Sequence, residues 1–246
     1  MDYRDYINEQ PSSLETNTAR FSGAPWFDMV RNKNVTVAGV GGIGSWLALL
    51  LARLKPRYLY LIDPDEVSSV NMAGQLYRGT DIGKSKVGSM ADVIHQFAGY
   101  YPNTSRNFLM DSTDISPILM CGFDNMSARS TAYYLWKKKL EKSNDKDWYL
   151  YIDGRLAAEK LQIFCITGED DYYMEQYEKD WLFSDEEADR AVCSYKQTTY
   201  CATMIASFMT NLFVNWCTNQ CNPLMARSLP FLTEYSADQM YFKCEV

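Results

Sequence analysis

The sequence predicts an α/β fold: a Rossmann-like, doubly wound, mostly parallel sheet with an antiparallel extension in its second half. Three observations predict it. From Asn34 to Leu140, short apolar or β-branched runs alternate with helix-length segments, the pattern of a parallel sheet with helical crossovers. Glycines spaced Gly39-x-Gly41-x-x-Gly44 stand between the first such run and the first long apolar helix. Beyond Trp148 two strand-like runs follow one another, the second with apolar/polar alternation, which suits antiparallel neighbours.

The elements follow in order. Residues 1–33 read as an N-terminal arm or short helix. NVTVAGV (34–40) is a buried strand, and the following helix runs from Gly41 to Leu54, stopped by Lys55-Pro56. RYLYLID (57–63) is the second strand. PDEVSSVNMAGQLYRGTDIG (64–83) is a long polar connection, unusual for a plain βαβ unit and therefore a candidate for function. A helix is expected over Lys84–Tyr100, a third strand at SRNFLM (105–110), and a fourth at PILMCGF (117–123), ending at Asp124-Asn125. A helix over Met126–Leu140 carries Lys137, Lys138 and Lys139 in its last turns, favourable to its dipole. WYLYIDGRLAAEKLQIFCIT (148–167) reads as two strands around Gly154-Arg155. Glu169 to Arg190 is an acidic crossing segment, Ser194–Asn219 a long helix, and QMYFKCEV (239–246) a terminal strand. With no repeat or low-complexity linker, residues 34–246 read as a single domain. It has a nucleotide-binding half, 34–145, and a crossover half, 146–246.

Composition narrows the function. A net charge of −7 argues against general nucleic-acid or anionic-membrane binding. Seven cysteines without a CxxC pair suggest reduced thiols and a cytoplasmic setting, and no zinc site is expected. The single histidine, His95, makes histidine-based triads and poly-histidine metal centres improbable. The uncharged stretch 197–226 holds many Thr, Asn and Gln residues, which favours a buried helix or subunit interface over a membrane span.

The glycine loop binds phosphate. Gly39 permits the tight turn, Gly41 lets backbone N–H groups come close to phosphate oxygens, and Gly44 lets the helix pack on its strand. Asp63, at the end of the second strand, can accept hydrogen bonds from ribose hydroxyls. These features alone would suit a dehydrogenase. The connection changes the ranking: Asn71, Gln75 and Lys86 can serve a triphosphate, with amide and ammonium donors for its oxygens, and Asp65 and Arg78 are further candidates for binding the nucleotide. Asp124, at the carboxyl end of the fourth strand, can hold a hydrated Mg²⁺, with Asn125 beside it.

In VAGVGGIGS, LIDPDEVSSVN…Q, DIGKSKV and FDNMSAR the chain resembles the adenylation domain of the ThiF/MoeB/HesA and ubiquitin-activating-enzyme superfamily. The resemblance covers 34–129 well and extends more loosely to about Cys201. It implies an ATP- and Mg²⁺-dependent adenylyltransferase, usually a homodimer, acting on the C-terminal carboxylate of a ubiquitin-like or ThiS-like protein or peptide. By resemblance, Gly41 and Gly42 cradle phosphate, Asp63 binds ribose, Asn71, Gln75 and Lys86 contact the triphosphate, and Asp124 coordinates Mg²⁺. Lys86 and Asp124 are the candidate catalytic residues.

Two departures matter. The family's N-x-x-R-Q reads Asn71-Met72-Ala73-Gly74-Gln75 here, so glycine occupies the phosphate-contacting arginine position. Of the paired arginines often found in an N-terminal arm, Arg20 alone is present. Arg78 or Arg20 could supply the missing charge. Cys193 stands where relatives carry a functional cysteine or crossover loop. It is either a thioester nucleophile, activated by a helix N-terminus and Lys196, or an inert buried thiol. Arg155 and Glu159 are candidates for holding the acyl substrate, equally readable as an ion-paired hairpin. Two other functions stay open: adenylation of a small-molecule or tRNA-borne carboxylate, and a nucleotide-binding scaffold without turnover.

Overall fold

The computed structural model describes residues 18–21, 23–157, 159–188 and 198–245. Cys193, Lys196 and most of the N-terminal arm lie outside the described residues. Eight strands form one sheet in the order β3-β2-β1-β4-β5-β6-β7-β8. Strands β1 (Asn34–Ala38), β2 (Tyr58–Ile62), β3 (Asn103–Ser105), β4 (Ile118–Cys121) and β5 (Leu150–Ala157) pair in parallel. Strands β6 (Lys160–Thr167), β7 (Leu232–Ser236) and β8 (Tyr241–Glu245) extend the sheet antiparallel from β5.

Alternation along the strands builds two cores. Val35, Val37, Ile118, Met120, Leu150 and Ile152 face one side, covered by α1 (Pro25–Arg31), α2 (Gly42–Leu54), α3 (Lys86–Ala98) and α7 (Thr199–Cys221). Ala38, Leu119, Cys121 and Tyr151 face the other, under α4 (Met126–Leu140) and α5 (Asp171–Asp180). A one-turn helix, α6 (Asp185–Ala188), follows α5. Rossmann topology and the antiparallel extension both match the sequence reading. The order reverses at β1 and β4, and that crevice is where open α/β sheets bind ligands.

Three expectations need correction. The third strand lies at Asn103–Ser105, not 105–110: Asn103 and Thr104 are exposed on a short edge strand, and Phe108 lies beyond it at 73% exposure. β5 runs unbroken through Gly154-Arg155, with the turn to β6 after Ala157. Gly154 is mid-strand because α7 packs on it; an added Cβ would lie 2.7 Å from Met209 Sδ. β7 was not foreseen.

Candidate functional site

A cavity of about 750 Å³ opens at the carboxyl ends of β1, β2 and β4. Its walls bring together Gly39, Gly41, Gly42, Asp63, Asp65, Asn71, Gln75, Lys86, Asp124 and Asn125. They come from five separate stretches of sequence.

The glycine loop is shaped by sterics. Gly39 has φ +82°, and a Cβ there would lie 3.1 Å from Phe123 Cδ1. Gly41 leaves its space toward the cavity open, the nearest atom to a Cβ being Gln75 Nε2 at 3.9 Å. Gly44 is a packing residue rather than a wall residue: a Cβ there would overlap the Gly39 carbonyl oxygen. α2 begins at Gly42 without a side-chain cap, leaving its N-terminal amide dipoles beside the cavity.

Asp63 fixes the loop to β2. Its Oδ2 accepts from Val40 N at 2.8 Å and its Oδ1 from Asp65 N at 2.9 Å. Burial raises its pKa, while Lys86 and the two amides act against that rise. Tyr77 donates to Val40 O at 2.5 Å, and burial pushes the phenol's pKa well up.

The polar connection folds onto α2. Ser45 Oγ accepts from Leu76 N at 3.0 Å, and Trp46 Nε1 donates to Gly74 O at 3.1 Å. Asn71 Oδ1 accepts from Ser68 N at 2.7 Å, which uses the acceptor locally. Gln75 Oε1 is buried with no hydrogen-bond partner. Lys86 Nζ pairs with Asp65 Oδ2 at 2.7 Å. Lys86 is the cavity's one cation among the described residues, against Asp63, Asp65 and Asp124.

Asp124 follows β4. Asn125 Nδ2 donates to Asp124 Oδ1 at 3.2 Å, and Asn125 Oδ1 caps α4 through Ala128 N at 2.8 Å. Behind them lies a buried network. Arg129 Nη2 donates to Phe123 O at 2.6 Å and its Nη1 contacts Asp153, whose other oxygen accepts from Arg155 Nε and Tyr177 OH, both at 2.8 Å.

Other candidates lie elsewhere. Arg78 is bound to Asp81 at 2.9 Å and reaches Gln96, away from the cavity walls. Arg155 spends its guanidinium on Asp153, Tyr177 and Trp181 O, and Glu159 accepts from Tyr200 OH. Arg20 sits in a short 3₁₀ turn, Ala19–Phe21, outside the cavity. Sequence reading missed Asn107, Phe108, Leu109, Ser127 and Thr131, which also line it. The same strand-end rule that found Asp124 would have found the segment after β3, had that strand been set correctly.

The comparison that decides the family is a match of the ThiF family model to residues 14–240. The chain belongs to the ThiF family. Over 143 residues it is 31% identical to ubiquitin-like modifier-activating enzyme 5 of Caenorhabditis briggsae, covering 51% of this chain and 33% of the relative. It is 36% identical over 80 residues to tRNA threonylcarbamoyladenosine dehydratase of Escherichia coli K12, covering 32% of this chain and 30% of the relative. The match thus spans no more than about a third of the length of either relative. Among solved structures, E. coli MccB with ATP superposes with TM-score 0.69 at 13% identity, over 100% of this chain and 79% of that one. PaaA gives 0.67 at 17% identity, over 100% and 74%. These structural likenesses establish the shared fold.

Proposed function

We propose that this ThiF-family chain binds ATP in the cavity and adenylates the C-terminal carboxylate of a ubiquitin-like or ThiS-like protein or peptide. The carrying observation is that one cavity gathers the glycine loop, Asp63, Asn71, Gln75, Lys86 and Asp124. The names of relatives support it: one structure of MccB is with ATP, another is in complex with N-formylated MccA, and one curated relative is a ubiquitin-like modifier-activating enzyme. Residues 34–246 act as one domain in this reading, as a cytoplasmic homodimer whose arm brings Arg20.

In this reading Gly41, Gly42 and the α2 N-terminus receive phosphate oxygens, Asp63 the ribose, and Asn71 Nδ2, Gln75 and Lys86 the triphosphate. Phe108 and Leu109 offer an apolar wall for the base. The substrate carboxylate is already ionised at neutral pH, so no general base is needed. One of its oxygens attacks the α-phosphorus, a P–O bond forms, the α–β anhydride bond breaks, and pyrophosphate leaves. Asp124 suits Mg²⁺: it is a hard carboxylate donor in the cavity wall. No group of three or more His, Cys, Asp or Glu side chains among the described residues could cage a metal, so phosphate oxygens would complete the coordination. Bound Mg²⁺ would neutralise charge developing on the leaving pyrophosphate.

Cys193 is proposed to take the acyl group from acyl-AMP as a thioester, releasing AMP. The flanking chain supports this: Asp185 bonds Ser127 N, and Thr199 donates to Ala73 O, both cavity-wall residues. Carboxylate-dependent exchange of labelled pyrophosphate into ATP tests the adenylation. Exchange on adding a modifier with a free C-terminus supports it, and its absence with every modifier tried opposes it.

A second reading, a nucleotide-binding scaffold without turnover, is favoured by Gly74 alone. Tight ATP binding with no exchange would select it.

A further inference from the structure

Asp124 and Asn125 are held between two anchors: one is backed by the crossing segment through Tyr177 and Trp181, and the other comes from it directly. On one side, Phe123 O accepts from Arg129, which contacts Asp153. Asp153 is in turn bound by Tyr177 of α5 and by Arg155, and Arg155 Nη2 donates to Trp181 O at 2.9 Å. On the other side, Asp185 Oδ1 accepts from Met126 N at 2.5 Å and its Oδ2 from Ser127 N at 3.3 Å.

The second anchor has a specific consequence. The first three amides of α4 are Met126, Ser127 and Ala128. Asp185 takes two of them and Asn125 the third. These donors, normally free at a helix start, are therefore already occupied by the protein. α2 and α4 both start at the cavity, but only α2 offers its first turn to a ligand. The start of α4 is a mount for the residues just before it. Asp185 is exposed, so its carboxylate is not there to fill a core. Two charge-assisted bonds at a helix N-terminus favour the geometry.

We infer that Asp185 is a positioning residue: through the Met126 and Ser127 amides it fixes the turn that aims Asp124 at the metal carried by the nucleotide. The crossing segment thereby sets the metal-binding geometry. This rests on the nucleotide reading above.

The test uses the full chain, with Asp185→Ala and Asp185→Asn beside wild type. Asparagine keeps one acceptor for the helix start, and both variants leave the buried network and Asn125 untouched. ATP affinity is measured by calorimetry in Mg²⁺ and in EDTA, and hydrogen exchange of the ligand-free full chain is followed over residues 123–131. The expected result is a metal-linked gain in ATP affinity for wild type that falls about tenfold in Asp185→Ala, as for other residues supporting a metal ligand. Binding in EDTA stays as in wild type, exchange at the start of α4 speeds up, and Asp185→Asn recovers most of the loss. Any one of five results overturns the inference: no metal-linked gain in a wild type that binds ATP, a gain unchanged in Asp185→Ala, an equal loss in EDTA, Asp185→Asn as impaired as Asp185→Ala, or exchange at the start of α4 unchanged in Asp185→Ala. If wild type binds no ATP in either buffer, the nucleotide reading fails instead. The exchange measurement still decides the anchor, because unchanged exchange in Asp185→Ala overturns it.

Discussion

Lys86 Nζ lies 2.7 Å from Asp65 Oδ2 at the cavity wall. The one cation lining the cavity among the described residues is therefore already paired before a ligand arrives. A phosphate ligand must share or take that ammonium. Lys86→Met should weaken ATP binding by roughly 10- to 100-fold, the scale of a lost charge-assisted hydrogen bond of about 1.5–3 kcal/mol. Asp65→Asn should tighten ATP binding in EDTA by releasing the lysine. Calorimetry on the two variants reads both effects, and equal affinities would remove Lys86 from the triphosphate.

Gly74 accounts for the missing arginine. Trp46 holds this residue through its backbone carbonyl oxygen, and its φ of −131° is not one that requires glycine. Gly74→Arg should therefore fold normally and raise ATP affinity about tenfold, a gain of about 1.4 kcal/mol. An unchanged affinity would mean that position 74 does not face the phosphates.

Gly41 and Gly44 differ in kind although the motif treats them alike. A Cβ at Gly44 collides with backbone at Gly39, whereas one at Gly41 meets nothing closer than Gln75 Nε2 at 3.9 Å. Gly44→Ala should cost about 3 kcal/mol, lowering Tm by roughly 6–12 °C. Gly41→Ala should keep its Tm and lose nucleotide affinity. Thermal melts and ATP titrations separate the two, and matching behaviour would contradict the division of labour.

Lys33 provides a pH test far from the cavity. Its buried ammonium lies 3.6 Å from the Trp148 ring centroid and 4.5 Å from that of Trp216, and it hydrogen-bonds Gln220. Burial lowers its pKa from 10.5 to about 8, with Cys217 and Asp147 pulling the other way. Between those values the unfolded chain holds more protons than the native one, so this group's contribution to stability rises with pH. Lys33→Met lacks that rise. Urea unfolding of both proteins should show wild type gaining on the variant from about pH 8 to 10.5. A constant difference across that range would contradict it.

Much of the site was legible because its residues follow strand ends in sequence. Gly39, Asp63 and Asp124 each stand just beyond a strand whose apolar run is easy to read. The segment after β3 was misread because β3 pairs through polar Asn103 and Thr104, while the apolar Phe108 and Leu109 serve the cavity wall instead of a strand. β5 was split at Gly154 because a glycine signals a turn locally, whereas its cause is Met209, 55 positions away on α7. Arg155 looked available for a substrate, but its partners Tyr177 and Trp181 belong to a segment whose position only the tertiary fold defines.

The most direct measurement is equilibrium binding of ATP and NAD in Mg²⁺ to wild type and to Asp124→Ala. Tight ATP binding, weak NAD binding and a marked loss of ATP affinity in the variant are predicted. NAD binding as tightly as ATP, or ATP binding indifferent to Asp124, would contradict a cavity built to hold and consume a triphosphate.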